Sequence, residues 1–275
     1  MRIFVTGASG FIGSHFVKQA LGAGFDVTAL RKPGSKTRIK LSQEPKWIES
    51  SIAEISTEAL LGHHVLVHLA AVGVTDQPDW RRCFDVNVVQ SLNLWINAIN
   101  ARISRLIVCG SCFEYGKAGE RYDRIPSSAR PEPHGAYQSS KAAASMAAWG
   151  LAVEKNIEVA IVRPFHVFGE GEDEKRLWPS LKKAKSSGED FSMSPGKQIR
   201  DFVKVEDVAS ALLCIATKKQ LTRGDPKIFN IGTGIGKTIE SFAQEEWERS
   251  ETAGKLRVGA LPYRSNEVMR LVAGP

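Results

Sequence analysis

Tyr137 and Lys141 stand four residues apart in the stretch Ala136-Tyr137-Gln138-Ser139-Ser140-Lys141, a spacing that puts a phenol and an ammonium on one face of a helix. A neighbouring ammonium favours the phenolate, so the pair is expected to lower a phenolic pKa of ~10. Such a group can give a proton to a carbonyl oxygen during reduction or take one from an alcohol during oxidation. A tyrosine and a lysine at this spacing are common on surfaces. This pair follows a long loop and opens a segment of mostly Ala, Ser and Met. Ser111 comes just after the apolar run Leu106-Ile107-Val108, where its hydroxyl can hold the oxygen that Tyr137 protonates. No Gly-x-Ser-x-Gly elbow marks it as a nucleophile, and Ser139 and Ser140 read as helix-face residues.

A hydride donor or acceptor must sit beside such a group. Thr6-Gly7-Ala8-Ser9-Gly10-Phe11-Ile12-Gly13 places three glycines three apart, after a strand-like run and before a helix-like one. Gly7 permits a sharp turn, Gly10 allows backbone approach to a pyrophosphate, and Gly13 lets the helix lie close to the sheet. The amides of Phe11 and Ile12 then face the diphosphate. Where an NAD site commonly carries Asp or Glu after the second strand, this chain has Leu30, Arg31 and Lys32, with Ser35 close behind. A guanidinium suits a 2′-phosphate, so the expected cofactor is NADPH/NADP, with NAD also admitted.

Arg2–Thr6, Val27–Leu30, Val65–Leu69, Leu106–Val108 and Val159–Val162 read as short buried strands, separated by amphipathic helices such as Asp85 to Ile99 and Tyr137 to Glu154. That rhythm means an α/β doubly wound parallel sheet with helices on both faces and ligands beyond the strand C-termini. Residues 1–165 are expected to form mainly the dinucleotide-binding domain. Residues 166–275 are expected to form mainly a small C-terminal substrate lobe, with segments around 199–232 interleaving with the sheet. Gly169 to Glu174 reads as a solvated acidic loop, Trp178 to Lys185 as a helix, Ile199 to Val203 as a strand, and Asp207 as the N-cap of another helix.

With 275 residues and a net charge of +7, the chain is long enough for a full core and mildly basic. Its lysines and arginines are dispersed; a phosphate-bearing small ligand explains the densest group, Arg31 to Arg38, at least as well as a nucleic acid does. No apolar run approaches the ~20 residues of a membrane span and the N-terminus lacks a signal-peptide pattern. The four cysteines read as reduced thiols, so a cytoplasmic location is expected. Cys109-Gly110-Ser111-Cys112 has no second pair to complete a metal site, and the six histidines show no ligand pattern. No metal is expected.

Taken together, the Thr6–Gly13 turn, His68-Leu69-Ala70-Ala71, Asn87, Ser111 through Tyr115-Gly116, Tyr137-x-x-x-Lys141, Arg163 to Gly169, Arg200 to Ala209 and Asn230-Ile231-Gly232 resemble the extended short-chain dehydrogenase/reductases that act on nucleotide-diphosphate sugars, the NAD-dependent epimerase/dehydratase family. The resemblance implies a Rossmann-type fold with Ser111, Tyr137 and Lys141 catalytic. It also implies a cofactor site that adds Leu69, Ala70, Ala71, Asn87 and Pro164 to the glycine turn. For a nucleotide-sugar substrate it implies contacts from Ser111, Cys112, Phe113, His166 and Arg200, with a further diphosphate contact from Arg264 or Arg270. Family dehydratases follow the hydroxyl residue with Asp-Glu; Cys112 and Phe113 stand here instead, which disfavours dehydration and leaves Glu114 as a control.

The resemblance further points to the subgroup that reduces the C4 ketone of CDP- or dTDP-linked 4-keto-6-deoxyhexoses, the CDP-abequose synthase group. NADPH-dependent ketoreduction is accordingly the expected activity. A 4-epimerase with tightly held NAD is the alternative, and a non-catalytic dinucleotide-binding protein a remote one. A homodimer is compatible with this reading.

Overall fold

Ile3 and Val5 turn to one side of the first strand and Phe4 to the other, the two-residue alternation that lets one strand bury both faces. One face carries Phe16, Val17, Val67, Ile107, Val208 and Leu212; the other carries Leu66, Leu94, Trp95, Leu106, Ala148 and Ile161. Each fully buried large aliphatic or aromatic side chain contributes about 1.5–3 kcal/mol relative to exposure. Continuous apolar strands are therefore stable only with a helical layer on each side.

The computed structural model describes residues 1–74, 79–217, 219–249, 253–263 and 267–275. Its strands are β1 (Arg2–Thr6), β2 (Asp26–Arg31), β3 (Lys46–Glu49), β4 (Val65–His68), β5 (Arg105–Cys109), β6 (Glu158–Pro164), β7 (His166–Phe168), β8 (Phe191–Met193), β9 (Ile199–Arg200), β10 (Phe202–Lys204), β11 (Lys227–Ile231), β12 (Lys237–Thr238), β13 (Leu256–Val258) and β14 (Arg270–Leu271). The α-helices are α1 (Phe11–Gly22), α2 (Thr57–Leu60), α3 (Trp80–Phe84), α4 (Ser91–Asn100), α5 (Ala136–Lys155), α6 (Leu177–Ser187), α7 (Val205–Thr217) and α8 (Ile239–Glu248).

Seven parallel strands run in the order β11-β6-β5-β4-β1-β2-β3. The chain winds outward from β1 to β3, then returns past β1 to build the other half from β4. That reversal opens a crevice between β1 and β4 at their C-terminal ends, the place where doubly wound sheets bind ligands. The expected α/β architecture is thus present, and β11 from late in the chain completes the sheet edge.

Four local readings differ from the expectation. Ile199 to Val203 is two strands separated by Asp201, whose buried carboxylate accepts the N–H groups of Thr233, Gly234 and Ala273. The helix containing Asp207 begins at Val205, so Asp207 lies in its first turn. Asp85 to Gln90 is π-helical before α4 begins. Gly169 to Glu174 is pinned: the Glu170 carbonyl lies 2.9 Å from His15 Nε2, and a Cβ on Gly171 would stand 2.9 Å from that of Arg38. Among the described residues no helix is long and apolar enough to cross a membrane.

Candidate active site

The glycine turn and the end of β4 meet at the crevice. Gly7 has φ +67°, and a Cβ there would lie 2.6 Å from the Ala70 backbone nitrogen, so only glycine admits this approach. A Cβ on Gly13 would stand 2.0 Å from the Gly7 carbonyl oxygen, which already accepts the Gly10 N–H at 2.9 Å. Gly10 is the N-cap of α1, without a side-chain cap and with no acidic residue in the first turn. The amides of Phe11 and Ile12 therefore have no intrahelical acceptor and meet no competing carboxylate, which fits a pyrophosphate. Gly13→Ala is expected to destabilise the fold by about 1–3 kcal/mol through overpacking. It should also weaken NAD binding about tenfold or more; an unchanged Kd in a fluorescence titration would contradict this role.

Across the crevice, Leu69 and Ala70 are tied to β1: the Leu69 N–H donates to the Thr6 carbonyl at 3.2 Å and the Ala70 N–H to Thr6 Oγ1 at 3.3 Å. Thr6 Oγ1, His68 and Ser91 form a buried chain with contacts of 2.8 and 2.9 Å, and burial pulls the His68 pKa down to about 3, so the imidazole is neutral. Ala71 follows on the same loop, and Pro164 is buried at the end of β6.

Asn87 projects from the π-helical stretch and is fully engaged by protein. Its amide clasps the Val72 backbone at 2.9 and 3.1 Å and donates to Ser140 Oγ at 3.0 Å. It joins the loop after β4 to the helix that carries Tyr137, which makes it a positioning residue here. A local π-helical stretch re-aims a side chain in this way, a device found at functional sites.

Ser111 lies just beyond β5 and caps the turn that follows: its Oγ accepts the Phe113 N–H at 3.2 Å. Tyr137 and Lys141 are presented by α5, whose inner face is Ala136, Ser140, Ala142, Ala144, Ser145 and Ala148, small enough for close approach to the sheet. The Ser111 hydroxyl lies close enough to the Tyr137 phenol to favour its ionised form. Lys141 donates to the Cys109 carbonyl and is 4 % exposed. The three sequence-selected groups thus converge at the C-terminal end of β5. The electrostatic outcome differs from the expectation: burial, reinforced by Cys109, holds the phenol pKa above its ordinary value against the pull of Ser111, because Lys141 is directed at the backbone. In this structure Tyr137 is a protonated phenol.

Glu114 is no free acid. Its Oε1 accepts the Ser111 N–H at 2.8 Å, while Oε2 pairs with Arg163 at 2.9 Å and both side chains are buried. Burial raises its pKa against the pull of Arg163. Cys112 is 1 % exposed with its thiol pushed up to about 12 by burial, and Phe113 packs edge-on to His166 at 5.4 Å. His166 lies between Phe113 and Phe202, its buried Nδ1 has no partner, and burial with Arg200 and Arg176 keeps it neutral.

Arg200 lies close enough to affect Cys112 and His166, yet its Nη2 is held by Glu267 Oε1 at 2.7 Å and by the Val268 carbonyl at 2.6 Å. Diphosphate recognition would require exchange of these partners. Arg264 lies outside the described residues, and Arg270 binds the Asp123 carbonyl at 2.9 Å. Two residues at the site escaped the sequence reading. Arg176, beside the start of α6, extends its charge to His166 and Cys112. Glu172 has its carboxyl pushed up to about 7 by burial, with Arg176 opposing. An acidic run looks solvated in sequence, and nothing in it signals which member turns inward.

The basic turn does not present a free guanidinium. Arg31 Nη2 and Nε donate to Glu49 Oε1 at 2.6 and 3.0 Å, and the guanidinium lies 4.5 Å over the Trp47 ring. Ser35 Oγ donates to the Lys32 carbonyl at 2.8 Å and meets Ser9 Oγ at 3.2 Å.

Residues 3–232 match the family described as "NAD dependent epimerase/dehydratase family". CDP-abequose synthase of Salmonella typhimurium strain LT2 is 27% identical over 283 residues, covering 98% of this chain and 89% of the relative. UDP-glucose 4-epimerase of Corynebacterium glutamicum is 25% identical over 296 residues, covering 99% and 87%. The solved structure of MoeE5 in complex with UDP-glucuronic acid and NAD has TM-score 0.86 at 26% identity, covering 100% of this chain and 90% of that one. A second MoeE5 complex contains UDP-glucose and NAD. These similarities cross subgroups, so they establish the family and not the CDP-abequose synthase subgroup. The dinucleotide in the similar structures is NAD, which overturns the expectation of NADPH; the physical reason is that Arg31 is already neutralised by Glu49.

Proposed function

The chain belongs to the NAD dependent epimerase/dehydratase family, and on that premise we propose that it uses retained NAD to interconvert the C4 epimers of a nucleotide-diphosphate sugar. As a family member it is an NAD(P)-binding enzyme of nucleotide-sugar chemistry. The proposal concerns the step at C4. Its main support is the Ser111–Tyr137 pair with Lys141 behind it, in a turn where Cys112, Phe113 and the paired Glu114 supply no carboxyl free for elimination. The NAD-containing MoeE5 complexes and the engaged Arg31 favour epimerisation over reduction by exchanged NADPH.

Ser111 holds O4 of the sugar while Tyr137 moves the proton at that oxygen, outward as the alcohol is oxidised and back as the ketone is reduced. When bound, NAD supplies reversible hydride acceptance and a cationic ring that favours the phenolate. Lys141 fixes the end of β5 through the Cys109 carbonyl and keeps positive charge in the pocket. Either C4 configuration can result if the ketone presents its other face before the hydride returns.

The test is to incubate the protein with CDP-, UDP- and dTDP-linked hexoses and 6-deoxyhexoses, following C4 configuration by NMR and reduced nicotinamide by absorbance. Interconversion without net nicotinamide change is expected. Stoichiometric consumption of reduced nicotinamide with a 4-keto sugar, and no epimer exchange, would make the enzyme a ketoreductase, the reaction class that the CDP-abequose synthase similarity keeps as its rival.

A further inference from the structure

The carboxylate absent from the end of β2 is supplied by the neighbouring strand. Parallel pairing of β2 with β3 sets Arg31 opposite Glu49 and Ala29 opposite Trp47, all at the ligand-facing end of the sheet. Glu49 Oε1 takes both Arg31 donors, and Trp47 covers the guanidinium. No described residue donates to Glu49 Oε2, and the side chain is 44% exposed.

Resting on the reading that NAD is the cofactor, we propose that Glu49 is the cofactor-selecting residue, withdrawing Arg31 from a 2′-phosphate and presenting a carboxylate oxygen to the adenosine ribose hydroxyls. A 2′-phosphate brought to this strand end meets a guanidinium that is already paired and a carboxylate that repels it. A 2′-hydroxyl can instead donate to the free carboxylate oxygen while the Arg31–Glu49 pair stays intact. Lys32 and Ser35 do not offset this: Ser35 closes the turn onto the Lys32 carbonyl, and a lysine provides a flexible point charge in place of a bidentate fork.

The experiment measures dissociation constants of NAD and NADP by fluorescence titration, without substrate, for the wild type, Glu49→Gln, Glu49→Ala, Arg31→Ala and the Glu49→Ala/Arg31→Ala double variant. Freeing Arg31 restores a charge-assisted bond to phosphate, which corresponds to about a 10–100-fold gain in NADP affinity. Glu49→Ala and Glu49→Gln are therefore expected to shift the NADP-to-NAD affinity ratio toward NADP by about tenfold or more. The double variant should lose that gain because Arg31 is its source. A ratio unchanged in both Glu49 variants, or a gain that persists in the double variant, would overturn the proposal. Thermal melts confirm folding, and the pair on an exposed strand end leaves the core untouched. A wild type that itself prefers NADP would instead overturn the NAD reading, so the two failures are distinct.

Discussion

Tyr137→Phe is expected to lower turnover by about 10²–10⁴-fold, the range of a positioned general acid-base group, while NAD binding changes little. The substitution keeps the ring and removes only the oxygen that lies near Ser111. Three neighbouring ionisable groups are not placed to take over. His166 is neutral and buried, Glu114 is paired with Arg163, and the Lys141 ammonium is bonded to the Cys109 carbonyl. The measurement is kcat for C4 interconversion beside the Kd of NAD. Near-wild-type turnover would remove the phenol from the chemistry, whereas loss of NAD binding would show that the ring holds the cofactor site together.

The second large effect is on stability. Glu114→Ala leaves the Arg163 guanidinium, 2% exposed, without its counter-charge and the Ser111 N–H without its acceptor. Breaking one side of a buried pair costs about 3–5 kcal/mol, enough to lower Tm by about 10 °C in a chain of this size. Because the same carboxylate fixes the Ser111 backbone, activity per folded molecule should also fall. Glu114→Gln, which can still accept the Ser111 N–H, should retain more activity than alanine at a similar loss of pairing. A melt within a degree of wild type for Glu114→Ala would show that the pair does not brace this turn.

Glu114 also shows where sequence reasoning reaches its limit. The sheet could be read because its strands are buried on both faces, which forces continuous apolar runs such as Leu106-Ile107-Val108. Ser111, Tyr137 and Lys141 could be read because each follows a fixed landmark, a strand end or a helix start. Arg31 was misread because its partner is eighteen positions away on a parallel strand, and register is a property of the folded sheet. The role of Asn87 depends on a π-helical stretch invisible in the helical periodicity from Asp85 to Ile99. The Tyr137 pKa went in the direction opposite to expectation because four-residue spacing gives a shared face but does not fix where an ammonium is aimed.

The most direct test of C4 chemistry with hydride return uses a nucleotide sugar carrying deuterium at C4, supplied to the enzyme with its NAD and no reduced nicotinamide. The predicted result is a mixture of C4 epimers that keeps the deuterium at C4, with no net change in absorbance at 340 nm. Migration of the label away from C4 with loss of water, or no epimer formation until reduced nicotinamide and a 4-keto sugar are consumed together, would contradict it.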